Sequence, residues 1–364
     1  MRKWIVALVS LCVLLCAACG AQAGGVTLRT FTPFADVDFA AQSYMDMITA
    51  WEKETGNVVE DYSGAMDETW METFKRMLKG GEVDVVVVPS GLGLSQKELL
   101  TAGELASSSD CGARQFASMK EADGSMLLAP VRLYWEALYV NTDVLARYGL
   151  AVPQTFEQLL SACSTLAQNG VLPIANALCE WNEMVLDCAA LMGAPAEQYG
   201  QKASLDGAKD VLTALVQAKA FGSDPWNMTD ADAESKFLSG EAAMRFDADV
   251  LAQLVPAQRV DSVVVVNVPA KDGQVRSEVV GMATYGVAVT RACWKDSVRS
   301  EAAASFITKL LEETSLQTPA GGKLGESIAA LSAGATNTVG VLYDYNPDGF
   351  EDWAESVIAH LMSL

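Results

Sequence analysis

Apolar residues along this chain follow two rhythms, one of two residues and one of three to four. Residues 26–31 alternate and predict a strand. Ala41, Tyr44, Ile48 and Trp51 recur at three- and four-residue steps, which predicts a helix stopped at Thr55-Gly56-Asn57. Residues 58–62 predict a second strand. Residues 66–79 predict a helix whose apolar side is Trp70, Phe74, Met77 and Leu78, ended by Gly80-Gly81. Residues 83–88 are an almost unbroken apolar run, as expected of a strand covered on both faces. Strand, helix, strand, helix, strand predicts a mostly parallel sheet flanked by helices.

The same grammar returns further on. In residues 153–159, Thr155 is placed to accept from exposed amides and Gln158 to reach back, a capping box that opens a helix running to residue 168. An apolar helix with Met184, Leu186 and Leu191 follows, and residues 203–220 are helical by pattern. Residues 230–238 form a short helix closed by Ser239-Gly240. Residues 263–268 and 285–290 read as strands. Ser300 is positioned to cap a helix with the buried stripe Ala303, Phe306, Ile307, Leu310 and Leu311. No repeat or low-complexity tract interrupts this order. Gly91-Leu92-Gly93 is too short a glycine signal for a nucleotide. Gly321-Gly322-Lys323 lacks the flanks of a phosphate loop and reads as a flexible lead-in to the last segment.

Composition narrows the picture. Acidic residues outnumber basic ones 46 to 25, a formal net charge of -21. Such a chain repels phosphate backbones and anionic headgroups, so no nucleic-acid partner is expected. About 340 residues beyond the N-terminal segment are enough for two lobes, each with a core. The single histidine is His360, and no cysteine pair has metal-finger spacing, so neither a zinc site of the usual kind nor a cofactor is expected. Cys12, Cys16 and Cys19 lie in the N-terminal segment. Cys111, Cys163, Cys179, Cys188 and Cys293 remain, an odd number, read as free buried thiols or as a bridge from Cys163 to Cys179 or Cys188.

The N-terminus has an export pattern. Arg2 and Lys3 precede an apolar core at residues 4–15 that is too short for a stable membrane span. Ala17 and Ala18 then lead to Cys19. The segment 1–19 resembles a bacterial lipoprotein signal, which implies lipidation (palmitate among the acyl chains) of Cys19 and anchoring to the cell membrane. Cys16 stands where such signals usually have leucine. The alternative is free secretion, with cleavage after Ala21-Gln22-Ala23.

Residues 129–145, Ala-Pro-Val-Arg-Leu-Tyr-Trp-Glu-Ala-Leu-Tyr-Val-Asn-Thr-Asp-Val-Leu, resemble the lobe-crossing segment of family 1 extracellular solute-binding proteins, the maltose-binding type. Tyr148-Gly149-Leu150, Pro153 and Thr155-Phe156-Glu157-Gln158-Leu159 continue the likeness. Phe237-Leu238-Ser239-Gly240-Glu241-Ala242-Ala243-Met244 and Tyr285-Gly286-Val287-Ala288-Val289 follow in order, so the resemblance spans nearly all of 26–364. It implies an α/β fold of two lobes, the type II periplasmic-binding-protein-like architecture, each lobe a mostly parallel sheet flanked by helices, with a hinge. The first lobe would hold 26–134 and 270–312, the second 135–269 and 313–364. The implied function is non-catalytic capture of a small solute, a mono- or oligosaccharide, by a monomer that delivers it to a membrane permease pair and its cytoplasmic ATPase pair.

Candidate ligand residues follow from placement and chemistry. Trp135 and Glu136 sit on the crossing, where an aromatic face can pack on a sugar ring and a carboxylate can accept from hydroxyls. Glu180 and Trp181, with Asn182, form an acidic, aromatic and amide triplet at a helix mouth. Asp247 and Asp249 stand where relatives commonly carry a stacking tryptophan, a departure that removes one aromatic platform and adds negative charge, which weakens the carbohydrate reading without displacing it and adds a cationic or amine-bearing ligand as an alternative. Tyr285 and Tyr343 lie near the other crossings. Phe34 and Asp36 follow the first strand and Ser90 the third, at the carboxyl ends where open parallel sheets bind. Two alternatives stay open on the residues: a surface polysaccharide hydrolase or lyase built on paired carboxyls, and an adhesin or sensor partner that kept the fold without small-solute binding.

Overall fold

Strand β1 (Thr27–Phe31) starts the sheet and takes parallel partners on both sides, β2 (Val58–Asp61) and β3 (Val85–Val88). The structure, a computed structural model, describes residues 25–35, 38, 40–89, 92–101, 104, 127–178, 182–313, 320–334, 337–342 and 349–364. All four valines of β3 are buried, as an unbroken apolar run requires of a strand covered on both faces. Helix α1 (Ala41–Thr55) buries Tyr44, Met47, Ile48 and Trp51; Met47 joins the stripe and Ala41 is only half-buried. Helix α2 (Glu68–Gly80) begins two residues later than its apolar pattern, because the Asp67 carboxylate caps it by accepting from the Trp70 amide at 2.7 Å.

The long strand β4 (Ala129–Asn141) leads into helix α3 (Thr142–Arg147). Helix α4 (Phe156–Gln168) carries the expected capping box, with both Thr155 and Gln158 engaged. Strand β5 (Leu172–Ile174), helix α5 (Glu183–Gly193) and helix α6 (Lys202–Gln217) follow. Helix α7 (Asp230–Ser239) ends on Gly240 in the left-handed region, and β6 (Ala242–Ala248) starts at once. Then come α8 (Leu251–Leu254), β7 (Val263–Val266), the long β8 (Glu278–Val289), α9 (Arg291–Trp294), α10 (Ser297–Glu312), α11 (Gly322–Gly334), β9 (Asn337–Thr338) and α12 (Phe350–Met362).

Two expectations change here. Helix α10 is capped by Asp296, whose carboxylate accepts from the Val298 and Arg299 amides, and Ser300 lies inside the helix. Here one aspartate oxygen serves two amides at the start of the helix. Gly322 opens helix α11 rather than a flexible lead-in, with Leu324 and Ile328 buried. The stripe of α10 forms as read, with Ala303, Phe306, Ile307 and Leu310 buried and Leu311 half-buried against them. Cys163, Cys188 and Cys293 are free and buried, which removes the Cys163–Cys188 bridge; Cys19, Cys111 and Cys179 lie outside the described residues. Burial pushes the thiols of Cys163 and Cys293 up to about 12.

The strands run in the order β2-β1-β3-β8-β4-β6-β5, with β7 alongside β4 and β9 alongside β8. Pairing is parallel in β2-β1-β3 and β5-β6, and antiparallel wherever the long strands β4 and β8 take part in the main sheet. The fold is thus two α/β lobes of the type II periplasmic-binding-protein kind, with mixed sheets flanked by helices and sharing the crossing strands. One apolar cluster gathers Phe31, Trp70, Phe74 and Val86. A second joins α1 to α10 through Trp51 and Phe306. A third packs Leu138, Val140, Met244 and Phe246 beneath α4, α5, α6 and α12.

Helices α5 and α6 approach so closely that Gly193 and Gly207 face one another without side chains. A Cβ built on Gly207 would stand 2.6 Å from the Gly193 carbonyl oxygen. Gly207→Ala is expected to destabilise the protein by about 1–3 kcal/mol, as overpacking does, with an unchanged denaturant slope. Urea unfolding followed by circular dichroism measures it; an unchanged midpoint would mean that the helices part at no cost.

Candidate functional site

Strand β4 changes partners along its length, and that change places the site. Residues 129–136 pair with β8, Glu136 to Val140 pair with β6, and Leu138 to Asn141 pair with β7. The strand's two-residue period sends neighbours to opposite faces. Trp135 and Glu136 are therefore not brought together. Trp135 is buried with Ala137 and Tyr139, its ring stacked on Tyr139 at 6.0 Å. Glu136 faces the other way, toward α5.

The Glu136 carboxyl is only 2% exposed. Tyr134, two residues back on the same face, donates its hydroxyl to Glu136 Oε1 at 2.8 Å. Oε2 is buried with no hydrogen-bond partner. Across from the strand, α5 presents Asp187, itself 1% exposed, which accepts from the Tyr199 hydroxyl at 3.1 Å and the Leu342 amide at 2.9 Å. Burial first, then the Asp187 charge, pushes Glu136 well above the ordinary carboxylate range.

Strand β6 carries a buried charge group of its own. Arg245 donates through Nε to Asp247, through Nη2 to both oxygens of Asp230 at 3.0 Å, and through Nη1 to the Ala175 carbonyl at 3.0 Å. Burial works against the Arg245 charge, but Asp247 and Asp230 more than offset it. Burial raises Asp247 above its ordinary range even beside Arg245. Two residues on, the Asp249 amide donates to the Trp135 carbonyl at 2.9 Å, which ties the end of β6 to the crossing. The Asp249 side chain is pushed up to about 7 by burial, against the pull of Arg132.

Arg132 completes the arrangement. Its guanidinium meets both oxygens of Asp38 at 2.8 and 3.0 Å. It also lies over the rings of Phe34 and Tyr285, 5.3 Å from each centroid. The loop after β1 and the crossing strands β4 and β8 thus meet at Arg132. Phe34 and Tyr285 are brought together there, with Tyr134 half-buried on β4, while Asp249 at the end of β6 feels the Arg132 charge. Phe34 is itself buried against Tyr44. Asp36, Ser90, Glu180, Trp181 and Tyr343 lie outside the described residues.

Tyr134, Arg245 and Asp230 escaped the sequence reading, as did three residues whose charge stands out. Arg132 is the sole base in an apolar crossing segment, Asp38 shares its loop with Asp36, and Asp187 is the lone acid within the apolar stretch of α5. Each breaks a local pattern, which is the signal that was available. Among the described residues, no group of three histidine, cysteine, aspartate or glutamate side chains could hold a metal ion. A groove of about 910 Å³ beside β5, with Leu172, Lys219, Asp224 and Lys236 among its lining, includes none of the predicted ligand residues.

The sequence profile of the bacterial extracellular solute-binding proteins matches residues 40–315. The chain belongs to that family. Its members capture small solutes outside the cytoplasm and are not enzymes, so the hydrolase or lyase alternative falls away. No curated protein sequence matches the chain significantly. Solved structures share the fold at low identity. A family 1 extracellular solute-binding protein from Alicyclobacillus acidocaldarius is 13% identical, with 93% of this chain and 94% of that one covered and a TM-score of 0.67. The bacterial solute receptor AcbH, described as exclusive for β-D-galactopyranose, is 16% identical over 94% and 96% of the two chains, with a TM-score of 0.65. A chitin oligosaccharide binding protein is 16% identical over 92% and 94%, with a TM-score of 0.53.

Proposed function

We propose that this protein binds a carbohydrate between its lobes and hands it to an ABC importer. The observation that carries the reading is the meeting of the two proposed lobes along the crossing strand: Arg132 holds the loop after β1 on one side, and three residues on the Trp135 carbonyl accepts from the Asp249 amide at the end of β6. Aromatic faces at Tyr134 and Tyr285 suit the apolar side of a sugar ring, and Asp249 suits its hydroxyls. Glu136, Trp135, Asp247 and Phe34 support that surface from behind, and Glu180, Trp181, Asp36, Ser90 and Tyr343 are its further contacts. The lobes are 26–134 with 270–312, and 135–269 with 313–364, a division supported by the change of partner at Glu136. The protein works as a monomer, with Cys19 lipidated as its membrane anchor, a permease pair receiving the load and an ATPase pair driving transfer.

Contacts to both lobes exist together only when the cleft is shut, so solute selects the shut form. Small-angle scattering and thermal shift with a panel of mono- and oligosaccharides and polyamines test this. A binding sugar is expected to shrink the radius of gyration and, at a hundred times its Kd, to add about 2.7 kcal/mol of stability. Compaction with polyamines alone would replace carbohydrate by an amine-bearing solute, as the carboxyl excess around Asp249 allows. No response to any solute would turn the reading toward an adhesin or sensor partner.

A further inference from the structure

Glu136 occupies the point at which β4 leaves one set of partners for another. It is the last β4 residue paired with β8, through Val280, and the first paired with β6, through Ala248. Beside it Gly281 has φ 144°, a conformation that favours glycine, and a Cβ there would stand 2.1 Å from the Tyr134 carbonyl oxygen. The two long strands touch backbone to backbone at this place. With the lobes divided as proposed above, rotation of one against the other turns at this change of partner, which puts the Glu136 carboxyl in the hinge.

Its surroundings do not suit a carboxylate. Tyr134 satisfies one oxygen, and the other is buried without a partner. The groups that act on it are Tyr134 from its own strand, Asp187 and Glu183 from α5, and Asp247 from β6. Cys188 of α5 and Tyr199 beyond it also feel its charge. Among the described residues that act on it, none is a cation. An ionised Glu136 next to Asp187 would be a second buried negative charge, whereas the neutral acid is a neighbour that a carboxylate tolerates.

We propose that Glu136, buried with one oxygen unpartnered, keeps its proton while the lobes are packed, and that losing it to solvent as pH rises loosens the hinge and opens the lobes. Two buried carboxylates on one side of the crossing strands repel each other and draw in water, which only parting of the packed elements admits. The device goes beyond solute capture: it would tie release to pH whatever the solute is. The sign follows from linkage. An unfolded glutamate ionises near its ordinary value of about 4.3, while the folded one keeps its proton to higher pH. The folded state then binds more protons, and stability falls as pH rises above that ordinary value.

The test uses the full mature chain without solute. Infrared spectra at pH 7 are expected to show a protonated-carboxyl band that Glu136→Gln removes. Scattering is expected to show the radius of gyration rising between pH 5 and 9 in the native protein and staying level in Glu136→Gln. Unfolding of that variant should release about one proton fewer near pH 7. Asp187→Asn takes away the repelling carboxylate, narrows the gap between the packed and opened states of Glu136, and should shrink the opening over the same pH range. Asp249 also protonates near this range, so the spectra are repeated on Asp249→Asn. If Glu136→Gln fails to fold, a band persisting above pH 7 in Asp249→Asn supports the proton, and its absence overturns it. A band or a pH profile unchanged by Glu136→Gln overturns it too. Solute binding with a level pH response would sink only this device; a pH-driven opening without solute binding would sink only the capture reading.

Discussion

Replacing Arg245 by methionine is expected to destabilise the protein by about 3–5 kcal/mol, as stranding one partner of a buried ion pair does. Arg245 is 1% exposed and holds Asp247, Asp230 and the Ala175 carbonyl together. Methionine fills similar volume, so a cavity is not the cause. The cost comes from Asp247, left as a buried carboxylate without its cation, and from a buried carbonyl without a donor. Asp230 is half exposed and turns to water at little cost. The cause can be separated by a second substitution. In Arg245→Met with Asp247→Asn, the stranded charge is gone, and most of the loss should return. Guanidinium unfolding of the native protein, both single variants and the double variant gives the coupling. If the double variant is no better than Arg245→Met, packing and not charge holds β6 to α7.

Much of the lobe architecture was legible because it rests on local pattern. The stripe of α1, the apolar side of α2 and the Thr155–Gln158 capping box need no distant partner to be recognised. Misreadings came where two residues competed for one role. Asp296 and Ser300 are both competent caps, and only the position of the preceding turn, fixed by α9, decides between them. Gly321 and Gly322 look like a break, yet the Gly322 backbone sits against Asp261, and the Lys323 amide donates to Asp261 at 3.2 Å. That tertiary contact starts α11 in spite of glycine's poor propensity.

The site was harder to read because its geometry is non-local. Trp135 and Glu136 are adjacent in sequence, and the period of a strand separates adjacent residues onto opposite faces. Strand alternation already contains that result, once the segment is taken as a strand through both residues. The meeting of Arg132 with Asp38 spans 94 positions, and that of Asp187 with Leu342 spans 155. Nothing in the spacing of the chain encodes either. What the sequence does carry is the anomaly of each: one base in an apolar crossing, one acid in an apolar helix. A charge that interrupts an apolar stripe implies a buried partner somewhere, without saying which.

Asp249→Asn is expected to make the protein more stable and a poorer binder at once. Burial holds Asp249 up to about 7 against an ordinary value near 3.8, and Arg132 does not fully counter it. The unfolded carboxyl ionises near its ordinary value, so folding stability is full below about pH 4 and falls until the folded group ionises near 7. The gap between the two values corresponds to about 4 kcal/mol as an upper bound at pH 8. Asparagine has the same shape without a proton to lose. The variant should therefore unfold at higher denaturant than the native protein at pH 8 and at the same denaturant at pH 4. A carboxyl retained at such a cost, where the end of β6 meets the crossing strands, points to work that a neutral amide does poorly. If that work is to accept hydrogen bonds from solute hydroxyls, losing one charge-assisted bond of about 1.5–3 kcal/mol should weaken the best binder of the panel by at least about tenfold. Titration calorimetry at pH 8 reads the affinity beside the unfolding curve. A variant that gains stability and keeps its affinity would leave Asp249 without a part in binding, and the weight of recognition would pass to Tyr134, Tyr285 and the opposite lobe.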